Sequence, residues 1–351
     1  MEARKVQRVG YSTLTVSLPR DWVGDVKLKA GDIVSIKRED DGSLNLIPGT
    51  ERKREEVKNV VVNADRCNSP NLLTRVITGN YILGHDTIQV LAKDELRKVH
   101  LEEIRATTKR VTGLSIVEQT LKQVTLQSFV DSTRFPIYGL MRRLHIIISS
   151  MLDASIKALL ERRPDLAAEV THMEEESDRI YWLIVRQLLL AIRDRNAGSK
   201  IGIESPLHIL GNRVVAKTLE EMADSAESIA KIVLALKDRQ ILMATDTVLN
   251  DIAKFSAQAT KIFEHSFKAL LTGDINLANE ALEAVEAAEN DEPRLTQTVL
   301  TYVKDVSVAV SLRIIVWNLG QIAKYCRIIG EVTINRIMEK PSEICRYVPV
   351  Q

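Results

Sequence analysis

The sequence has 351 residues, enough for two or three domains, and its 48 Lys+Arg and 47 Asp+Glu leave a net charge of +1. This balance argues against a uniformly basic nucleic-acid coat protein and against an acidic disordered chain. Aromatic residues make up only 4% of the chain, so we expect cores filled by aliphatic side chains. Three widely spaced cysteines and short apolar runs predict a reduced, cytoplasmic protein that is not embedded in a membrane.

The first fifty residues predict a small β module. Apolar and polar residues alternate over residues 12–18, which is the period of a half-buried strand. Turn signals at Gly31 and Gly42 separate the other predicted strands. These strands span residues 26–30, 33–37 and 43–47. Four short strands bury little surface by themselves, so we expect this module, residues 1–50, to dimerise.

Residues 51–133 predict a small α/β module that begins with a charged linker at 51–58. Val60, Val61 and Val62 predict its first strand, because a run of β-branched residues is typical of a buried strand. The alternation of elements continues as a helix at 69–79, a strand at 87–91, a helix at 94–111 and further strands within 115–130. The module has no glycine-rich loop of the kind that binds phosphate.

From residue 134 onward apolar residues recur at helical spacing, which predicts an all-α region with short loops. This region repeats itself. The segment SIKALL at 155–160 returns 111 positions later as SFKALL, and RVV at 213–215 returns 100 positions later as RII. We therefore predict two related three-helix bundles, at 134–240 and 241–351.

Two pairs of acidic residues in the first bundle are spaced for one helix face each. Glu174 and Asp178 are four residues apart, as are Glu220 and Asp224 on the next long helix. Like charges at this spacing repel by a few tenths of a kcal/mol, and a cation bound by carboxylate oxygens would offset that cost. The alternative is that both pairs lie on ordinary solvated faces with basic neighbours.

The second bundle does not keep the acidic pattern. By the repeat alignment, Gly320 stands at the position of Glu220 and Lys324 at the position of Asp224. Neither register of the neighbouring helix supplies an acidic pair at the required spacing. A metal site in the second bundle is therefore doubtful.

Catalysis has little support in the sequence, and we predict that the protein is not an enzyme. No Ser, Cys or Lys lies in a recognisable nucleophile motif, and the six histidines are scattered. His145 is interpreted as a packed bundle residue, whereas His172 lies beside Glu174 and could assist a metal. Metal-assisted hydrolysis by the carboxylates stays as an alternative.

The N-terminus is locally basic despite the neutral total. Its first twenty residues carry one acidic residue and four basic ones, Arg4, Lys5, Arg8 and Arg20. Basic residues beside an exposed β segment can contact phosphates of nucleic acid. The alternative is an edge strand whose charges deter aggregation.

Residues 6–20 (VQRVGYSTLTVSLPR), followed by LKAGD at 28–32 and DGSL at 41–44, resemble the AbrB/SpoVT family. Members of this family form intertwined, swapped-hairpin β dimers, and many bind DNA through basic residues. The resemblance implies a homodimer formed through the first module. It also implies DNA binding, for which the candidates are Arg4, Lys5, Arg8 and Arg20.

The repeated helical region, with the segment LEEMADSAESIA at 219–230, resembles the PhoU family of tandem three-helix bundles. Members bind iron, zinc, magnesium or similar ions through Glu/Asp-xxx-Asp motifs. The resemblance implies metal binding at positions that match these motifs. They are Glu174, Asp178, Glu220 and Asp224.

The order of the modules, with an α/β insert between them, resembles the archaeal PhoU-related regulators of phosphate uptake. This resemblance implies a regulator of phosphate homeostasis that contacts the phosphate-transport machinery at its peripheral ATPase component. The alternative is an AbrB-type transcription factor in which the helical bundle senses a metal or a partner.

Overall fold

The computed structural model describes residues 3–38, 42–49, 59–236, 245–342, 344–346 and 348. The chain divides into two compact units, Met1–Lys58 and Asn59–Gln351, which are taken in turn. The predicted linker at 51–58 and the predicted boundary between the bundles at 240/241 lie outside the described residues.

Two antiparallel strand pairs and one short helix make up the N-terminal unit. Strand β1 (Gln7–Val9) pairs with β2 (Thr13–Thr15), and β3 (Val34–Arg38) pairs with β4 (Leu44–Pro48). Helix α1 (Arg20–Asp25) lies between the two pairs in the chain. The strands predicted at 33–37 and 43–47 are therefore present, each within one residue of its predicted bounds.

The prediction of a strand at 26–30 is wrong. The unit still has four described strands, because β1, at 7–9, was not predicted. The backbone amides of Val26 and Leu28 both donate to carbonyls of α1, at 3.0 Å each. Lys27 between them has a left-handed φ of 54°. The segment therefore ends the helix rather than entering a ladder, because its amides are already used.

Apolar side chains of the N-terminal unit remain in contact with water. None of the residues described between 3 and 49 is buried. Leu14, Ile36 and Leu44 are respectively 68%, 64% and 62% exposed although each lies in a strand. One copy of this unit thus has no completed core, as expected for so few short strands.

The α/β module at the start of the second unit has a four-stranded mixed sheet. Its elements in chain order are β5 (Asn59–Asn63), α2 (Leu72–Ile82), β6 (Thr87–Leu91), α3 (Lys98–Arg110), β7 (Leu114–Gln119) and β8 (Gln123–Ser128). The strand order is β5-β6-β8-β7, with β5 and β6 parallel and the other neighbours antiparallel. The alternation of strand and helix predicted for 60–130 is confirmed, and α3 begins later than residue 94.

Six long helices and one short helix follow in the described residues. They are α4 (Ile137–Glu161), α5 (Pro164–Arg193), α6 (Arg195–Lys200), α7 (Pro206–Ala235), α8 (Asp246–Thr272), α9 (Ile275–Tyr302) and α10 (Val306–Ile337). The predicted fold class, a β module, a small α/β module and a helical bundle region, is confirmed.

The internal repeat extends to the ends of the helices. Arg162 and Gly273, 111 residues apart, end α4 and α8 in the left-handed conformation, with φ of 56° and 65°. The next helices begin at Pro164 and Ile275, again 111 apart. Ser155 and Ser266 are both fully buried. The two helix pairs thus have corresponding ends as well as corresponding sequences.

Buried residues of α4 to α10 form one hydrophobic cluster that continues through both repeats. Helix α10 is long and apolar enough to cross a membrane by length and composition, but 56% of its apolar window is buried inside the protein. Such burial is typical of a core helix of a bundle. The predicted boundaries of the two bundles stay predictions.

The α/β module is attached to α5 by arginine side chains. Arg186, only 1% exposed, donates from Nη1 to the carbonyls of Tyr81 and His85 and from Nη2 to Asp86 Oδ1, the last at 3.0 Å. Arg193 donates to a further carbonyl at the end of α2, at 2.7 Å. The guanidinium groups donate to carbonyls at and just beyond the end of α2, and their charge complements the negative end of its dipole.

Replacing Arg186 is expected to destabilise the protein. The variant Arg186→Ala removes this donor from the carbonyls of buried Tyr81 and half-buried His85 and from the Asp86 carboxylate, which should lower the free energy of unfolding by about 3 kcal/mol. Urea denaturation followed by circular dichroism measures the loss.

Arg193→Ala is the matched control for that measurement. It removes one hydrogen bond from an exposed site, so its cost should be about 1 kcal/mol. Equal losses in the two variants would show that burial of Arg186 does not determine its contribution.

Candidate metal centre

The four predicted metal ligands lie on two helices that pack against each other. Glu174 and Asp178 belong to α5, and Glu220 and Asp224 to α7. Electrostatic effects cross between the helices, because Asp224 raises the pKa of Glu174 and Asp178 raises the pKa of Asp224. The fold therefore brings the two pairs within electrostatic range of each other, but the three carboxylates at ligand distance, Glu220, Glu221 and Asp224, include neither Glu174 nor Asp178. Their role as ligands stays a prediction.

We call this set of carboxylates the acidic cluster. It contains the four predicted residues and two further glutamates of α7. Its members are Glu174, Asp178, Glu220, Glu221, Asp224 and Glu227. Carboxylate oxygens of Glu220, Glu221 and Asp224 lie within 4.8 Å of one another, close enough to hold one cation. Hard cations such as Mg²⁺ and Mn²⁺ prefer carboxylate oxygens, so the donor set fits a metal ion.

Two carboxyl groups of the acidic cluster have strongly raised pKa values. Burial raises the pKa of Glu174 to about 7, and the charges of Asp178, Glu227 and Asp224 add to this effect. Burial and the charges of Glu220 and Asp178 raise the pKa of Asp224 to about 6. Near neutral pH these carboxyl groups are therefore either partly protonated or stabilised by a bound cation.

The other members of the acidic cluster have basic partners. Arg110 of α3 contacts Asp178 at 2.9 Å, and Lys231 contacts Glu227 at 2.7 Å. Lys217 pairs with both Glu220 and Glu221. Within the described part of the chain, Glu174 and Asp224 form no ion pair. These two carboxylates have the largest pKa shifts of the cluster, because burial and the neighbouring carboxylates outweigh the opposing charges of Arg110 on Glu174 and of Lys217 on Asp224.

Glu221 and Arg110 were missed by sequence reasoning. Glu221 had a visible signal, because it follows Glu220 directly and is three residues from Asp224, which is also a helical neighbour spacing. Arg110 is 68 residues from its partner Asp178 and had none. His172, considered as an additional ligand, is exposed and contributes no atom to the three-carboxylate group.

The second bundle forms ion pairs at the corresponding place. Lys324 contacts Glu292 at 3.2 Å, and Arg327 contacts Glu289 at 2.7 Å. The Glu292 carboxylate occupies the space that a side chain at Gly320 would need. Positions 324 and 327 correspond to Asp224 and Glu227, so basic residues here replace acidic ones. Charges that repel in the first bundle are thus paired in the second.

The four predicted DNA-binding residues are all exposed. Arg4 and Lys5 precede β1, Arg8 lies in β1, and Arg20 begins α1. Arg4 also donates to the Ser17 hydroxyl at 3.1 Å. Their exposure leaves them accessible to phosphates, and contact with DNA stays a prediction.

Two regions of the chain match models of known protein families. Residues 141–233 match the family model of the PhoU domain. Residues 7–54 match the model described as antidote-toxin recognition MazE, bacterial antitoxin. The PhoU match contains all four predicted metal ligands. The MazE match contains the first β module apart from its first few residues.

The helical fold is shared with solved PhoU structures. PhoU from Pseudomonas aeruginosa is 14% identical over 58% of this chain and 96% of its own, with a TM-score of 0.51. The phosphate transport system regulatory protein PhoU from Streptococcus pneumoniae is 14% identical over 58% of this chain and 94% of its own, with a TM-score of 0.50. No curated protein matches the chain.

The raised pKa of Glu174 predicts a pH dependence of stability. Its carboxyl has an ordinary value of 4.5 and a folded value of about 7, so between these pH values the native protein binds more protons than the unfolded chain. Stability of the metal-free protein should therefore fall as pH rises from 4.5 to 7. Glu174→Gln should reduce this fall and leave the protein more stable than wild type at pH 8, in urea denaturation with a chelator.

Glu175→Gln provides the control, because Glu175 is the adjacent exposed residue and pairs with Arg179 at 3.7 Å. Its pH profile should follow that of the wild type. A Glu174→Gln profile that also follows the wild type would show that Glu174 titrates normally.

Proposed function

We propose that the protein is a regulator of phosphate uptake whose first PhoU-like bundle binds a metal ion. The observation that carries this proposal is the acidic cluster between α5 and α7, in which Glu174 and Asp224 have raised pKa values and no ion-pair partner among the described residues. The PhoU match to 141–233 covers the cluster and supports the assignment.

The proposed ligands are Glu174, Asp178, Glu220 and Asp224, with Glu221 as an additional carboxylate beside them. Iron, zinc, magnesium or a similar ion would neutralise these charges and join α5 to α7. The all-oxygen donor set favours a hard cation. The cation would stabilise this face of the bundle by ending the repulsion between the two helices.

The proposed partner is the peripheral ATPase component of the phosphate-transport machinery. The solved structure from Streptococcus pneumoniae is named as a regulatory protein of a phosphate transport system, and it shares the helical fold. Action on such a partner, with α10 mostly buried in the bundle, supports a cytoplasmic protein.

A non-enzymatic role is favoured by the state of the nucleophiles. Burial raises the pKa of Cys326 to about 12, and burial with the charge of Glu103 raises the pKa of Cys67. Both thiols are held in the protonated, unreactive form. We therefore propose regulation by binding rather than by turnover.

The N-terminal unit is proposed to join two chains through swapped hairpins. Its strands leave Leu14, Ile36 and Leu44 exposed, and a second copy would cover such side chains. The MazE match over 7–54 supports an assembly of this kind.

An AbrB-type transcription factor is the second candidate function. The observation in its favour is the exposed basic set on the N-terminal unit, Arg4, Lys5, Arg8 and Arg20. In that case the helical bundle acts as a metal or partner sensor. A gel-shift with the protein's own upstream region, titrated with salt, distinguishes the candidates, because absence of retardation at low salt removes this one.

The double variant Glu174→Gln/Asp224→Asn tests the main proposal. It should lose the metal found by elemental analysis of the purified wild type, because two ligands and their charge are removed. In cells lacking the native gene, wild-type protein should lower phosphate uptake in phosphate-rich medium, and the double variant should restore uptake to the level of the deletion.

Glu289→Gln/Glu292→Gln is the matched control in the second bundle, where both carboxylates have basic partners. It should retain metal and regulation. Equal metal content in all three proteins would contradict the assigned site. Phosphate uptake that does not change when the gene is deleted would contradict the regulatory function.

Dimerisation is tested by placing a charge on the exposed apolar strand positions. Ile36→Glu/Leu44→Glu should convert a dimer to a monomer in size-exclusion chromatography with light scattering, because the buried charges have no partner. Asn45→Glu, beside Leu44 on β4, is the control and should remain dimeric. A monomeric wild type would contradict the proposal.

A further inference from the structure

Arg110 provides a cation to the acidic cluster from outside the bundle. It is the last residue of α3, in the α/β module. Its Nε donates to Oδ2 of Asp178 at 3.0 Å, and its Nη2 forms an ion pair with the same oxygen at 2.9 Å. The Asp178 side chain is 9% exposed, whereas the Arg110 side chain is 54% exposed. A nearly buried carboxylate is therefore neutralised by a guanidinium that water can reach.

The effect of Arg110 extends beyond Asp178. Its charge lowers the pKa of Glu174, against the larger opposing effects of burial and the neighbouring carboxylates. The other basic partners of the cluster, Lys217 and Lys231, belong to α7 itself. Among the ion pairs described for the cluster, Arg110 alone links it to a different module.

The two helices of the α/β module are attached to α5 in different ways. The end of α2 is attached by Arg186, which is almost fully buried. The end of α3 is attached by the half-exposed Arg110, and the next loop by a 3.2 Å bond from the Thr112 hydroxyl to the Arg179 carbonyl. An ionic contact at the surface is easier to break than one in the core.

We propose that Arg110 is an internal counter-ion that sets the cation affinity of the acidic cluster, because a bound divalent cation and the guanidinium compete for Asp178. This inference rests on the metal-binding role proposed above. It makes Arg110 a positioning residue that also couples the site to the α/β module. Cation binding weakens the contact at the end of α3 while Arg186 retains the end of α2.

The reciprocal effect follows from linkage. If the cation weakens the contact of Arg110 with Asp178, then that contact weakens binding of the cation by the same factor. A partner that holds the end of α3 on α5 would thus release the metal. A partner that draws α3 away would favour its binding.

Titration of Mn²⁺ into the full-length protein by calorimetry tests the competition. Mn²⁺ is suitable because carboxylates bind it and the metal alone is the probe. Arg110→Met keeps an unbranched side chain of similar length without the charge, and it should bind Mn²⁺ about tenfold more tightly than wild type, within the range of measured coupling between sites. Lys109→Met, an exposed neighbour in the same turn of α3, is the control and should bind as wild type.

Hydrogen exchange supplies a readout that does not depend on affinity. In wild type, Mn²⁺ should speed exchange of amides at the end of α3 and leave the end of α2 unchanged. In Arg110→Met, exchange at the end of α3 should already be fast and should not respond to Mn²⁺. Circular dichroism checks that both variants fold.

The possible outcomes separate the two proposals. Equal or weaker Mn²⁺ binding by Arg110→Met, relative to wild type, overturns the competition while leaving the metal site in place. Slower exchange at the end of α3 on addition of Mn²⁺ overturns it too. If none of the three proteins binds Mn²⁺, both the proposed metal site and this inference are overturned.

Discussion

Repulsion among carboxylates on the facing sides of α5 and α7 is the constraint on which the functional part of the structure depends. Hydrophobic packing holds the two helices together, and this packing brings the acidic side chains close. Lys217, Lys231 and Arg110 offset part of the charge. The negative charge that these basic residues do not offset raises the pKa values of Glu174 and Asp224. Charge concentrated in this way has a cost in stability unless a proton or a metal ion is bound.

The two repeats accommodate charge at one packing position in opposite ways. In the first, carboxylates face carboxylates. In the second repeat, Lys324 pairs with Glu292 and Arg327 with Glu289, so basic side chains of the protein itself neutralise the carboxylates. The helix ends correspond in the two halves, which indicates that backbone packing was retained while the charges changed. Unpaired carboxylates therefore occur in one half of a repeated helical scaffold, among the residues that the structure describes.

Helix α5 also connects this site with the α/β module. One of its faces holds Glu174 and Asp178, and another buries Arg186 under the end of α2. The acidic residues and the attachment of the α/β module thus lie on the same helix. The N-terminal unit differs, because its short strands leave apolar side chains exposed.

Periodicity in the sequence was enough to predict the fold class, most strands, the long helices and the repeat, because these follow from local hydrophobic spacing. It failed at 26–30, where amides bond back to α1, an arrangement that alternation does not reveal. The i,i+4 spacing also placed each acidic pair on one helix face. Only the tertiary structure decided that the two pairs meet, that Glu174 and Asp224 have no ion pair among the described residues, and that Arg110 reaches Asp178. The physical reason is that pKa values and ion pairs depend on burial and on neighbours distant in sequence, which chain packing alone determines.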